Sequence, residues 1–358
     1  MKTKDYFNLQ TLLLMLIMSS AMIMVSCKDD DDDDPIPVDK TELTALIAQA
    51  EALATAASSD DYPQTAIDAY AATLLSIKNA AAATTLTQEQ ADNLVVQLTT
   101  AMDTFESQEY EDINETLNLN AGWHFDEGTG TTATAFSSVQ HVGTFTAGNA
   151  SIFGADAMSP TWVAGVNGGF AISLDKGAHL EVPYTTSFLP ADLSISVWIK
   201  PSELYENNYI LSQNFWNGYK LQTQGGGKPF FTYKKVDGGI IDADNEMDNS
   251  ITAGEWNHLI VTLNGTTKEL KFYVNGTLTK TWTESTKSIG PLIQTLTLPE
   301  PQPFMIGCVA TDDQIATWEW TETPTSLGYF KGAIDELKIY NIALSAGQII
   351  KLHNHEKP

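Results

Sequence analysis

Near residue 119 the apolar residues change their spacing from three and four to two, and no single regular element satisfies both periods. Upstream, Leu43, Leu46, Ile47, Ala50 and Leu53 fall on one face of a helix. Ile67, Tyr70, Leu74 and Ile77 do the same for a second helix, and Ala91, Leu94, Val95, Leu98, Met102 and Phe105 for a third. Ser58 to Tyr62 breaks the first run, and Pro63 suits the first turn of the next. Asp39 with Glu42, and Thr87 with Gln90, have the spacing of capping boxes. Helices of about 17 to 20 residues span roughly 26 to 30 Å, and short connections make neighbours antiparallel. Residues 39–107 are therefore predicted to form a three-helix bundle, followed by an acidic, polar linker at 108–118.

Downstream the pattern is that of strands. Leu193, Ile195, Val197 and Ile199 alternate with Ser194, Ser196, Trp198 and Lys200. The runs Leu259–Leu263 and Leu270–Val274 end at Asn264-Gly265 and Asn275-Gly276, both strong turn signals. Many short strands with glycine-rich turns predict one all-β jelly-roll sandwich over residues 119–358.

Residues 1–26 follow the order of a signal peptide. Lys2 and Lys4 precede an apolar run, Leu12 to Val25, broken only by Ser19 and Ser20, and small Ser26 precedes Cys27. The run is shorter than the roughly 20 residues of a membrane-spanning helix. Met24-Val25-Ser26-Cys27 resembles a lipobox, which implies cleavage before Cys27 and acylation of its thiol. Acyl chains bind bilayers at about 0.8 kcal/mol per buried CH₂. Residues 27–38 then read as a lipidated acidic tether. Asp29 to Asp34 resembles the tag that routes some lipoproteins to the outer face of the outer membrane, and equally suits a self-repelling spacer.

Charge restricts the partners. Removing residues 1–26 takes two lysines and one aspartate from 19 basic and 45 acidic residues, leaving a net charge of −27, and there is no arginine. Nucleic acid is excluded as a partner, and polyanionic glycans are disfavoured. A bidentate guanidinium clamp for a sugar carboxylate is also missing. With Cys27 spent on lipid, Cys308 has no disulfide partner, and within Phe304–Val309 it reads as a buried apolar residue.

Residues 40–107 resemble the FIVAR-type helical modules of bacterial surface proteins in helix length, alanine content and the Thr85-Leu86-Thr87-Gln88-Glu89 start of the third helix. That resemblance implies a spacer or a weak adhesive role. The β region has a more specific likeness. Its segments run Ala121-Gly122-Trp123-His124-Phe125-Asp126-Glu127-Gly128, then Gly168-Gly169-Phe170-Ala171-Ile172-Ser173-Leu174-Asp175, then Leu193 to Pro201. Glu255-Trp256-Asn257-His258-Leu259, Phe272-Tyr273-Val274-Asn275-Gly276 and Phe330 to Asn341 follow in order. Over residues 119–354 this is similar to the laminin-G-like members of the concanavalin A-like lectin/glucanase fold. The resemblance implies a fold, and one fold hosts many activities.

Three clusters are candidate sites. Asp126 and Asp335 sit where relatives of this fold often bind a structural calcium, with Gly169 or Phe170 offering a carbonyl; the alternative is that Asp335 caps a turn or pairs with a lysine. Trp216 and Tyr219 flank the Asn217-Gly218 turn, and an insertion between Val309 and Gly328 carries Asp312, Asp313, Trp318 and Trp320. Indole rings stack on the C–H faces of sugars while carboxylates accept from hydroxyls, so these six residues are the candidate ligand site. An extra strand burying one of the two insertion tryptophans is the competing reading. The third cluster, Asp242, Asp244, Glu246 and Asp248, reads as an exposed loop, and Met247 stands where an EF-hand needs glycine.

Glucanases of this fold use a Glu-x-Asp-x-Glu style strand, which the sequence lacks. It also lacks a His-Glu-x-x-His helix, a Gly-x-Ser-x-Gly elbow and a phosphate loop. The expectation is a non-catalytic, lipid-anchored outer-membrane protein, exposed at the surface, whose sandwich binds a glycan or another cell-surface polymer. A protein-binding adhesin and a glycoside hydrolase with an unrecognised site are the alternatives.

Overall fold

The computed structural model describes residues 37–296, 300–318 and 328–358. The leader, Cys27 and Trp320 lie outside the described residues. Among the described residues no helix is long and apolar enough to cross a membrane.

Helices α1 (Thr41–Ala56), α2 (Gln64–Ala81) and α3 (Gln88–Glu106) pack around Leu43, Ala50, Tyr70, Leu74, Leu98 and Phe105. Phe105 stacks on Tyr62 and Tyr70, with ring centroids 4.4 and 4.6 Å apart, and the Tyr70 hydroxyl donates to the Ala50 carbonyl at 3.1 Å. The Thr87–Gln90 capping box is present. The Asp39–Glu42 box is not: Lys40 is the cap residue of α1, and the Asp39 amide donates instead to Gln88 Oε1 at the start of α3. The competing partner on α3 removes the donor that Glu42 would have accepted.

The β region is two antiparallel sheets, each of eight strands. The first holds β1 (Leu119–Trp123), β4 (Thr161–Ala164), β5 (Phe170–Leu174), β7 (Leu193–Pro201), β12 (Asn257–Asn264), β13 (Glu269–Val274), β14 (Thr277–Thr283) and β16 (Gly332–Tyr340). Its order is β14-β13-β12-β7-β16-β5-β4, with β1 also on β16. The second runs β11 (Ile240–Asp244), β10 (Lys228–Lys234), β9 (Tyr219–Gln224), β8 (Asn208–Gln213), β15 (Phe304–Ile306), β6 (His179–Val182), β3 (Val142–Thr146), β2 (Thr132–Thr134). The inward positions, among them Ile195, Val197, Leu221, Phe231, Phe272 and Ile339, form one apolar core between the sheets. Burial of such side chains stabilises by roughly 1.5–3 kcal/mol each.

Two departures from a plain sandwich position everything that follows. One edge of β16 is shared: residues 332–334 pair with β5, residues 337–340 pair with β1, and the ladder to β7 shifts register between Asp335 and Lys338. The sheet therefore has a gap at Asp335 and Glu336. The second departure is the C-terminal helix α4 (Ala346–Glu356), which covers the outer face of the first sheet. Ser194, Ser196 and Trp198, polar or amphipathic positions of an alternating strand, are buried for that reason.

Candidate functional site

The tryptophan pair is assembled from two distant segments. After β8 the chain turns through Asn214 and Phe215, both left-handed, with φ of 55° and 45°. Such backbone is costly for side-chain-bearing residues and persists where its surroundings hold it. Here the Phe215 amide donates to Ser212 Oγ at 2.9 Å, and Asn214 Oδ1 accepts from the Gln302 amide at 2.6 Å. The turn presents Trp216. From the insertion, a helical turn at Asp312–Ile315, capped by Thr311, presents Trp318. The two indole rings lie 5.1 Å apart at 34°, and Phe215 meets Trp318 edge-on at 5.4 Å. Both tryptophans are half-buried, so each ring keeps an exposed part beside its apolar support of Phe215, Ile315 and Tyr329.

The structure treats the other expected members of this group differently. Asp313 is exposed beside the pair, and Asp312 accepts a hydrogen bond from the Tyr329 hydroxyl. Lys234 Nζ donates to Asn217 Oδ1 at 3.2 Å, fixing the turn below Trp216. Tyr219, by contrast, is fully buried and faces the core beside Phe231. Strand alternation sends Lys220 and Gln222 outward and Tyr219 and Leu221 inward, so Tyr219 does not join Trp216. Trp320 lies outside the described residues.

The carboxylate pair meets at the gap in the first sheet. Asp126 follows β1 and accepts from the Phe170 amide at 2.8 Å; Asp335 accepts from the amides of Val166 and Glu336 at 2.8 and 2.9 Å. These carboxylates, with the 166–169 turn, line a recess of about 150 Å³. Asp335 is 2 % exposed, and burial pushes its carboxyl up to about 7 against the opposing effect of the Val166 amide. Among the described residues it has no lysine partner, which leaves the turn-capping alternative. Glycines line the recess because side chains would not fit. A Cβ at Gly169 would strike the Asp126 carboxylate. One at Gly165 would press on the Gly168 carbonyl and lie 2.8 Å from Asp335 Oδ2 and 2.9 Å from the Phe170 carbonyl. Two carboxylates beside main-chain carbonyls have the donor chemistry of a calcium site, a hard ion bound by oxygens. Among the described residues no group of three or more His, Cys, Asp or Glu side chains is arranged to hold a metal, so carbonyls would have to complete the shell.

The third cluster keeps the expected exposure at Asp242, Glu246 and Asp248 but is only partly a loop. Asp242 and Asp244 lie on β11, while Glu246, with φ of 52°, and Asp248 follow in the turn. Lys228 bridges Asp244 and Asp248, and Lys280 pairs with Glu246. Lysines on neighbouring segments relieve the repulsion that these closely spaced carboxylates would otherwise exert on one another.

Sequence reasoning missed two clusters. Ser196 Oγ and His258 Nε2 lie 2.7 Å apart, a nucleophile-to-base distance, yet both are fully buried beneath α4. His258 is held well below the usual histidine range by burial, then by His353 and Lys338. Trp198 stacks on His258 at 4.7 Å and donates to Glu356 Oε2 at 2.9 Å, so the group binds α4 down. The second is Lys220 on the outer face of the second sheet, 7 % exposed, its Nζ donating to Gln222 Oε1 at 2.7 Å. Cys308 is buried, donates to the Ala310 carbonyl at 3.0 Å, and burial pushes its thiol up, which makes it inert.

Two facing sheets, a tryptophan-bearing rim and an oxygen-lined recess in the closing strand define a lectin-like β-sandwich. The sandwich is similar to the family described as concanavalin A-like lectin/glucanases superfamily, whose match covers residues 174–350. No curated protein matches the chain in sequence. Among solved structures, domain 4 of AbnA, a GH43 extracellular arabinanase from Geobacillus stearothermophilus determined with arabinotriose, is 19 % identical. That likeness covers 67 % of this chain and 100 % of the domain, at a TM-score of 0.47. The binding domain of botulinum neurotoxin DC in complex with SialylT is 16 % identical over 68 % of this chain and 52 % of its own, at 0.45. That of Paraclostridial Mosquitocidal Protein 1 is 18 % identical over 66 % and 52 %, at 0.41. The chain thus spans about half the length of the two toxin domains. Likenesses this distant assign no ligand.

Proposed function

We propose that this is a lipid-anchored outer-membrane protein, acylated at Cys27, whose sandwich binds a glycan at the Trp216–Trp318 rim and catalyses nothing. The helical bundle is its spacer, and calcium held by Asp126, Asp335 and the carbonyls beside them stiffens the gap in the first sheet. The observation that carries the reading is the convergence of two half-buried indoles from segments about a hundred residues apart, with polar groups around them. Aromatic faces supply flat contact for sugar C–H groups, and Asp313 and Asn217 supply hydroxyl partners. The non-catalytic part is supported by two features. Asp244, Glu246 and Asp248 of the acidic run are paired with Lys228 and Lys280, and the Ser196–His258 pair is closed to substrate.

A glycan array probed with residues 38–358 in calcium tests the reading. Trp216→Ala and Trp318→Ala should each weaken the strongest signal about ten-fold, the size expected for losing one aromatic contact. Unchanged binding in both variants would move the site elsewhere, and release of reducing sugar from polysaccharides would replace binding by hydrolysis.

A further inference from the structure

The outer face of the second sheet continues from the tryptophan rim to a buried ammonium group. Ser212, whose hydroxyl holds the Phe215 turn, stands opposite Lys220 in the β8–β9 ladder. Lys220 in turn stands opposite Thr232, and Thr232 opposite Asp242. Tyr209, Gln222 and Phe230 form the adjoining row. Lys220 Nζ lies 4.8 Å from the Tyr209 ring centroid and 5.5 Å from that of Phe230. Among the described residues Gln222 is its one hydrogen-bond partner, and no carboxylate lies within 4.0 Å of it. Asp242, the nearest acid in the ladder, accepts from Thr232 Oγ1 at 2.6 Å instead.

An ammonium group carries three donors and is costly to bury unpaired. Two aromatic rings offset part of that cost. The remaining donors need an acceptor, and a negative one recovers most. Burial lowers the Lys220 pKa to about 8, with Asp242 acting in the opposite direction.

Resting on the glycan reading above, we propose that Lys220 receives a carboxylate of the bound glycan, so that the ligand carries uronic acid residues. These must be isolated along the polymer. A single ammonium neutralises a single carboxylate, while Asp242, Asp244 and the net charge of −26 repel a continuous polyanion. The tryptophan rim then takes the neutral neighbours of the acidic residue.

Methyl glycosides of glucuronic and galacturonic acid, compared with those of glucose and galactose, isolate the carboxylate. NMR titration of the full chain should show one uronide binding about ten-fold more tightly than its neutral counterpart. Lys220→Met should abolish that preference and leave neutral binding in place. Asp242→Asn, at an exposed position, should strengthen the preference two- to three-fold, and it decides the matter if the Lys220 variant does not fold. Equal binding of uronides and neutral glycosides, or a preference unmoved by both variants, would refute the carboxylate site while leaving the rim intact. Absence of any saccharide binding, neutral polymers included, would refute both.

Discussion

Gly165 and Gly169 are the residues on which the recess beside Asp335 depends, because each leaves room for oxygens that a methyl group would displace. Asp335 is the residue that tells whether the recess is used. Its folded-state pKa is raised from 3.8 to about 7, so its contribution to stability is complete below 3.8 and is lost as pH rises through 7. A bound cation reverses this by favouring the ionised carboxylate. Saturating calcium is therefore expected to raise Tm by about 5 °C at pH 8 and by much less at pH 5, read by calorimetry. Asp335→Asn should remove the gain, and an equal shift in that variant would place calcium elsewhere. That the Asp126 and Asp335 segments meet was legible in the sequence, because both segments resemble those of one fold. Tyr219 and Lys220 were not, since neighbouring strand residues face opposite ways and only the register decides which one enters the core.

Helix α4 is the element that makes the first sheet's outer face an interior. It brings His353 to within 3.1 Å of His258, Nδ1 to Nδ1, beside Trp198, with Lys338, Glu336, Glu356 and Ser196 facing the pair and Lys357 beyond the helix end. Both histidines are depressed, His258 by burial first and then by His353 and Lys338, His353 by burial and then by Lys357. Depressed groups contribute stability that is present above their unfolded pKa and lost as pH falls below about 6.5. Urea denaturation at pH 7 and pH 5 should show that loss, and His353→Phe, which keeps the ring stack without a proton site, should make it smaller by about 1 kcal/mol. An unchanged acid loss would mean that α4 does not depend on these rings. The alternation of Ser194, Ser196 and Trp198 with apolar residues correctly announces a strand, but it cannot announce a covering helix about 150 residues away. The period shift at residue 119 and the Thr87–Gln90 cap were readable because they are local; the Asp39 cap failed because its partner is on another helix.

At the scale of the molecule α4 also joins bundle to sandwich. Lys351 lies among Asp61, Glu109 and Asp112, at 3.6, 2.9 and 2.7 Å, and His355 and Lys357 reach Asp61 and Asp60 at 3.0 Å. Exposed pairs contribute about 0–1 kcal/mol each, but several converge on one partly buried lysine. The helical bundle is thus held against the sandwich through α4. Lys351→Glu should give a broader small-angle scattering envelope for residues 38–358 at low salt, and the native chain should approach it in 1 M salt. A native envelope already as broad would show the bundle to be free. A different consequence follows from β16, which lies between β7 and its two other partners, β5 and β1. The first strand to leave the ribosome finds its partner only in the last, more than 200 residues later. That sheet cannot close before β16 has been made, so a polypeptide released before residue 332 leaves β7 and β1 without the strand that lies between them.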